Sequence, residues 1–276
     1  MVDQVTPELI RQYREDGAVC LRGVFGQEVR DKVWQGMQKV MANPSSSSVN
    51  MKSEGGGVFF NDYVRWQEIP EFQDFIFNTA AAEIVGRMME SDYVNFYFDH
   101  TLCKEPGTTK TTPWHHDQSY QPMDGYKNIS IWMPLDPVIK ENTLWFVKGS
   151  HNWDKWFYPR QFSTTETYKT INDDVTHRKY EDVPHEEIDN NPDKYPILQW
   201  TCEPGDIVIF HNKCLHGAPG NPLKTHRRVF ATRWLGDDSV LAKRPWEAAP
   251  PHMGGLNYGD KIRDCEAFPE VWRRQK

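Results

Sequence analysis

A chain of 276 residues is long enough for one large domain or two small ones, with ample material for a core. Hydrophobic residues at 38% and charged residues at 26% are ordinary for a soluble globular protein, and a net charge of -7 argues against non-specific binding to nucleic acid or an anionic membrane surface. No apolar run approaches the roughly 18 residues of a membrane span, so no transmembrane helix is expected.

The N-terminus, Met1-Val2-Asp3-Gln4, lacks the basic and apolar regions of a secretory signal. Cys20, Cys103, Cys202, Cys214 and Cys265 are scattered, odd in number and never paired as Cys-x-x-Cys. They predict reduced thiols in a cytoplasmic protein. Aromatics at 13% favour a β-rich fold with aromatic-lined cavities.

Thr6-Pro7-Glu8 is a helix start, with Thr as N-cap and Pro in the first turn, and Gly17 ends that helix. Residues 18–24 read as a strand. A second amphipathic helix carries Val29, Val33, Met37, Val40 and Met41. Residues 44–57, broken by Pro44 and by Gly55-Gly56-Gly57, read as a loop or as a lid over a site. The strand system is expected to begin near Phe59-Phe60, and residues 70–89 are expected to form one helix with Phe72, Phe75, Ile76, Ile84, Val85 and Met88 on its apolar side.

Short strands follow at 93–103, 126–135, 143–147, 197–201, 206–210 and 227–234. They are separated by turn residues at the spacing of a sandwich or barrel. Residues 152–196 form a polar insertion, either a cover of the site or a plain surface loop, and the segment from Pro245 reads as an irregular tail. The expected organisation is a single domain over 1–276: a helical part to about residue 90, a β core over about 91–240, and the tail beyond.

The chemistry centres on Trp114-His115-His116-Asp117-Gln118. Residues two apart on an extended strand point to one face, so His115 and Asp117 can reach one metal ion. His-x-Asp alone arises about once by chance in a chain of this length. A third ligand is offered by His216, which follows the turn and apolar strand of Gly205-Asp206-Ile207-Val208-Ile209-Phe210-His211. Two histidines and one carboxylate with open positions form the facial triad of non-haem Fe(II) oxygenases. His211, five residues earlier, is the competing ligand, but the Gly217-Ala218-Pro219-Gly220 turn favours His216. The returning strand places Arg227, Val229, Ala231 and Arg233 on one face. A charged residue pointing into a barrel needs a partner, and a small dicarboxylate suits a guanidinium.

These stretches, with Ser130 to Asp136, Glu141 to His151 and Arg227 to Asp238, resemble the phytanoyl-CoA dioxygenase family of Fe(II)- and 2-oxoglutarate-dependent oxygenases. The likeness spans most of residues 6–240. Thr143 and Lys148 stand where the family often has Gly and Pro. The resemblance implies a double-stranded β-helix (a cupin-like jelly roll) flanked by N-terminal helices. It implies Fe(II) bound by His115, Asp117 and His216, 2-oxoglutarate held by Arg227 and flanked by His116 and Trp132, and O2 as co-substrate. It also implies hydroxylation of a C–H bond with release of succinate and carbon dioxide; related halogenases lack a carboxylate at the position Asp117 fills.

Asn61, Tyr63, Arg65, Tyr120 and Arg233 are the candidate substrate residues, with Trp145 beside them; packing of aromatics is the default reading for Asn61, Tyr63, Arg65, Tyr120 and Trp145, and Arg233 is either a salt-bridged core residue or a clamp for an anionic substrate group. His100, His151, His177, His185, His211, His226 and His252 read as surface or structural. The expected partner is a small molecule, with no nucleic acid and no membrane, and homo-oligomerisation is left open. Aromatics with Arg65 and Arg233 suit a zwitterion such as an aminoalkylphosphonate. The alternatives are an alkaloid or terpenoid natural product, an acyl-CoA, or a cupin-like binding module without turnover.

Overall fold

Strand alternation accounts for most of the architecture. The computed structural model describes residues 2–54, 56–162, 166–171, 178–251, 254–263 and 265–275. Gly55, His177 and His252, named above, lie outside the described residues. Helix α1 (Pro7–Asp16) begins as expected, because Thr6 accepts a hydrogen bond from the Leu9 amide at 3.2 Å and Pro7 occupies the first turn. It ends at Gly17, whose φ of 84° allows its amide to reach the Tyr13 carbonyl at 2.8 Å.

A Cβ at Gly17 would meet the His151 ring at 2.4 Å. The left-handed backbone and this overlap act together, so Gly17→Ala lowers stability by roughly 2 kcal/mol or more, read as a drop in the urea midpoint.

Strand β1 (Ala18–Leu21) and helix α2 (Gln27–Ala42) follow, then β2 (Val49–Lys52) and β3 (Val58–Tyr63). The 44–57 segment is thus not simply a loop, because β2 pairs antiparallel with β3. The helix expected over 70–89 is two, α3 (Pro70–Asn78) and α4 (Ala81–Met89). Thr79 breaks it: its backbone is extended, and its hydroxyl donates to the Phe75 carbonyl at 2.6 Å and accepts from the Ala81 amide. A threonine hydroxyl that bonds local backbone competes with the helical ladder.

The β region comprises β4 (Tyr93–Lys104), β5 (Thr112–His115), β6 (Met123–Asp124), β7 (Asn128–Pro134) and β8 (Trp145–Val147). In the insertion lie β9 (Trp156–Phe157), β10 (Tyr180–Glu181) and helix α5 (His185–Asn190). The chain continues through β11 (Ile197–Leu198), β12 (Ile207–His211), β13 (His216–Ala218), β14 (Arg227–Leu235), β15 (Val240–Leu241) and β16 (Glu270–Arg273). The tail is therefore not wholly irregular, since β16 pairs with the start of β4.

The large sheet runs β1-β12-β7-β14-β4-β3-β2, and the smaller runs β11-β8-β13-β5. Both are antiparallel throughout and together form the jelly-roll double-stranded β-helix.

The central strands β12, β7 and β14 of the large sheet serve two cores. Ile129, Ile131 and Met133 of β7, Ile207 and Ile209 of β12, and Phe230 and Trp234 of β14 face the helices and pack with Val33, Met37, Phe72 and Phe75. The residues between them, Trp132, Val208, Phe210, Val229 and Ala231, turn inward against Leu144, Phe146 and Ala218 beside and within the smaller sheet. A strand buried on both faces reads as a continuous apolar run. Each large side chain so buried contributes roughly 1.5–3 kcal/mol of transfer free energy. Among the described residues, no helix is long and apolar enough to cross a membrane.

Candidate metal centre

Pairing of β13 with β5 sets His216 directly opposite His115, with imidazole centroids 4.2 Å apart. Asp117 sits just past β5, in a single 3-10 turn over Asp117–Ser119. Its Oδ1 lies 3.4 Å from His115 Nε2 and 3.6 Å from His216 Nε2. The donor atoms of the three side chains all fall within 4.8 Å of one another, and all three residues are buried.

The rings are held from behind. His115 Nδ1 is 2.8 Å from the Pro113 carbonyl and His216 Nδ1 is 2.9 Å from the Cys214 carbonyl. A carbonyl only accepts, so each Nδ1 carries the proton and each Nε2 presents a lone pair toward Asp117.

The other carboxylate oxygen of Asp117 is also occupied. Arg233, on β14, donates to Oδ2 from Nε at 3.1 Å, and its Nη2 forms an ion pair with the same oxygen at 3.0 Å. Burial alone would raise the Asp117 carboxyl, but the Arg233 guanidinium beside it holds it well below the usual carboxylate range. Burial pushes the His216 imidazole down to about 3. Burial likewise pushes His100, on β4, down to about 3.

These histidines bind protons in the unfolded chain near pH 6.5 but resist them in the fold. Their contribution is therefore complete above pH 6.5 and is lost as pH falls from there toward 3, by about 1.4 kcal/mol per pH unit for each. The metal-free protein is expected to lose melting temperature steadily from pH 7 to pH 5, and His100→Asn to flatten that slope; a melting temperature constant over the range contradicts this.

The triad opens into a cavity of 490 Å³. Arg227, Trp132, Arg233, Asn61, Tyr63 and Tyr120 line it. Arg227 is fully buried. Its Nη1 donates to the Asn142 carbonyl at 2.6 Å, while its Nε is buried without a partner among the described residues. Its guanidinium stands 6.0 Å from the Trp132 ring centroid. Burial lowers Arg227 to about 10, which leaves it cationic at neutral pH.

Three candidates lie elsewhere. His116 does not flank the cavity: it follows His115 on extended backbone, so its ring points the other way, toward Trp156, Phe157 and the Ser119 hydroxyl. Arg65 lies outside as well. β3 ends at Tyr63, and Val64 adopts a left-handed φ of 59°, which turns Arg65 to Asp62 at 3.0 Å, Glu68 at 3.0 Å and the Asn43 carbonyl at 2.8 Å. Trp145 faces Trp114 in a separate surface cleft.

Other residues were missed. His100, read as surface or structural, lines the cavity together with Phe98 and Leu102. Their spacing of two along a strand was the available signal. Met51 of β2 and Phe59 of β3 also contribute. The insertion supplies Arg160, Gln161, Phe162 and Tyr168 to the cavity wall and so partly covers the site. Tyr120 ties that cover down: its hydroxyl donates to the Arg160 carbonyl at 2.6 Å and accepts from the Arg160 amide at 2.8 Å. His151 and His211 are structural, but buried rather than surface, with centroids 5.1 Å apart.

A double-stranded β-helix with two imidazoles and a carboxylate converging at one end, and an arginine in the same cavity, has the architecture of the non-haem iron oxygenases. The chain belongs to the phytanoyl-CoA dioxygenase (PhyH) family, whose model matches residues 13–229. A comparison with curated proteins gives no match.

Among solved structures, the chain is similar to SnoK, a non-heme alpha-ketoglutarate-dependent carbocyclase from nogalamycin biosynthesis, at 19% identity and TM-score 0.74 over 98% of each chain. It is also similar to the epimerase SnoN in complex with Fe3+, alpha-ketoglutarate and nogalamycin RO, at 19% identity and TM-score 0.71 over 96% of this chain and 98% of that one. EctD from S. alaskensis with 2-oxoglutarate and 5-hydroxyectoine aligns at 14% identity and TM-score 0.68, over 95% of this chain and 86% of that one. At such identities the likeness shows a shared fold.

Proposed function

We propose that the protein is an Fe(II)- and 2-oxoglutarate-dependent oxygenase acting on a mainly apolar, ring-bearing small molecule. The observation that carries the reading is the convergence of His115 Nε2, His216 Nε2 and Asp117 Oδ1 in a cavity that also holds Arg227. Donor set and orientation fit Fe(II): both imidazoles are locked with Nε2 forward, and one carboxylate oxygen is left toward them. Arg227, buried with an unpartnered Nε, fits the far carboxylate of 2-oxoglutarate, which would supply the acceptor that the protein does not. When bound, the iron supplies oxidative decarboxylation of 2-oxoglutarate by O2, coupled to oxidation of a substrate C–H bond.

The chain's own part is to place and to exclude. His115, His216 and Asp117 hold the metal, Arg227 fixes the co-substrate, and Tyr120 keeps the Arg160 segment over the cavity against water.

Substrate charge is where the cavity speaks against the earlier expectation. A zwitterion was favoured by Arg65 and Arg233, but Arg65 lies outside and Arg233 is neutralised by Asp117. The walls are instead aromatic, with Phe59, Phe98, Trp132, Phe162, Tyr168 and Phe210. Such walls suit flat rings with few charges. The similarity to SnoK and SnoN, both from nogalamycin biosynthesis, supports a natural-product substrate.

The test is a screen for substrate-dependent succinate release, with polycyclic phenols and ketones in one set and aminoalkylphosphonates in the other. Release that depends on the ring compounds is expected, whereas release only with the phosphonates overturns the substrate class.

A further inference from the structure

Away from the cavity, a second cluster of reactive side chains lies where the N-terminal strand meets the turn that leads into β12. Cys20 is on β1, the edge strand of the large sheet, half-buried and opposite Val208. Cys202 is buried and bridges to Val138 on its other side. The two thiols and the Asp206 carboxylate lie within 4.8 Å of one another.

Donors at this spacing invite a metal reading, but the carboxylate is already engaged. Asp206 Oδ1 accepts from the Gly23 amide at 2.8 Å, and Oδ2 accepts from Arg22 at 2.6 Å and from the Glu203 amide at 3.0 Å. A cation there would have to displace Arg22 and break the turn. What remains is the chemistry of two adjacent thiols.

We propose that Cys20 and Cys202 form an oxidation site at which a hydroperoxide converts the pair to a disulfide, tying edge strand β1 to the segment that enters β12. In the first step the Cys20 thiolate attacks a peroxide oxygen. An S–O bond forms, the O–O bond breaks, and water or an alcohol leaves with a proton, giving a sulfenic acid. In the second step the Cys202 sulfur, losing its proton, attacks Cys20; the S–S bond forms, the S–O bond breaks and water leaves. Two electrons pass from the thiols to the peroxide.

The surroundings favour Cys20 as the attacking group. The neighbouring Cys202 thiol lowers the Cys20 thiol and the Arg22 charge lowers it further, while burial and the Asp206 carboxylate oppose them. The remaining cysteines are poor competitors. Cys103, Cys214 and Cys265 are all buried, and burial pushes the Cys103 thiol up to about 11 and the Cys214 thiol up to about 12.

The experiment treats the whole protein with a small excess of hydrogen peroxide, then counts thiols in denaturant and maps peptides without reduction. The count is expected to fall from five to three, with a dithiothreitol-reversible Cys20–Cys202 peptide and unmodified Cys103, Cys214 and Cys265. In Cys202→Ser the Cys20 sulfenic acid should persist and be trapped by dimedone. Loss of thiols first at the other three cysteines, sulfinic acid at Cys20 beside a free Cys202, or no loss at Cys20 overturns the proposal.

Discussion

Asp117→Ala is expected to abolish metal-dependent turnover and to destabilise the fold by about 3–5 kcal/mol. The two losses have one cause, because the carboxylate faces both ways. Oδ1 stands between the two imidazoles, and Oδ2 receives Arg233, which is only 6% exposed. Removing the carboxylate strands a buried guanidinium, and that unpaired charge carries most of the stability cost.

The two losses should therefore separate. Asp117→Ala combined with Arg233→Met takes away the stranded charge, so stability should return toward that of the parent while Fe(II) binding and turnover do not. Chemical denaturation of the parent, Asp117→Ala, Arg233→Met and the double variant gives the coupling energy. If the single variant were as stable as the parent, or the double variant recovered nothing, Arg233 would not be acting through Asp117.

The second large effect is on the co-substrate. Arg227→Met is expected to weaken 2-oxoglutarate binding by about 2–5 kcal/mol, a change of roughly 30-fold to several thousand-fold. The metal-free protein should be unharmed or slightly more stable, because the variant removes a buried cation whose Nε has no partner. Titration calorimetry with the metal in place, alongside melting without it, reads both halves. Unchanged 2-oxoglutarate affinity would place the co-substrate elsewhere. Arg227→Lys keeps the charge but loses the planar fork, so it should recover only part of the affinity.

Much of this centre was legible because its signals are local. His115 and Asp117 are two apart, His216 follows a Gly-Asp turn and an apolar strand, and the turn after His216 fixes where Arg227 begins. The alternation of β14 correctly put Arg227 and Arg233 on the inner face and sent Arg228 outward, to Asp136.

What could not be read depends on single torsions or distant partners. One left-handed residue, Val64, redirects Arg65. The bond between Arg233 and Asp117 joins positions 116 residues apart. Thr79 splits a helix whose apolar spacing runs straight through it. His100 was visible as part of an alternating strand, but its face became known only when β4 was seen to lie between β14 and β3. The cover formed by Arg160, Phe162 and Tyr168 has no periodicity to read, since its position rests on hydrogen bonds such as that from Tyr120.

The most direct test of the centre is an anaerobic titration of the protein with Fe(II) followed by 2-oxoglutarate, watched by visible absorption. A weak charge-transfer band should appear at one equivalent of each with the parent protein and be missing with His216→Ala. No band with the parent, or the same band with His216→Ala, would contradict the assignment of this triad as the metal site.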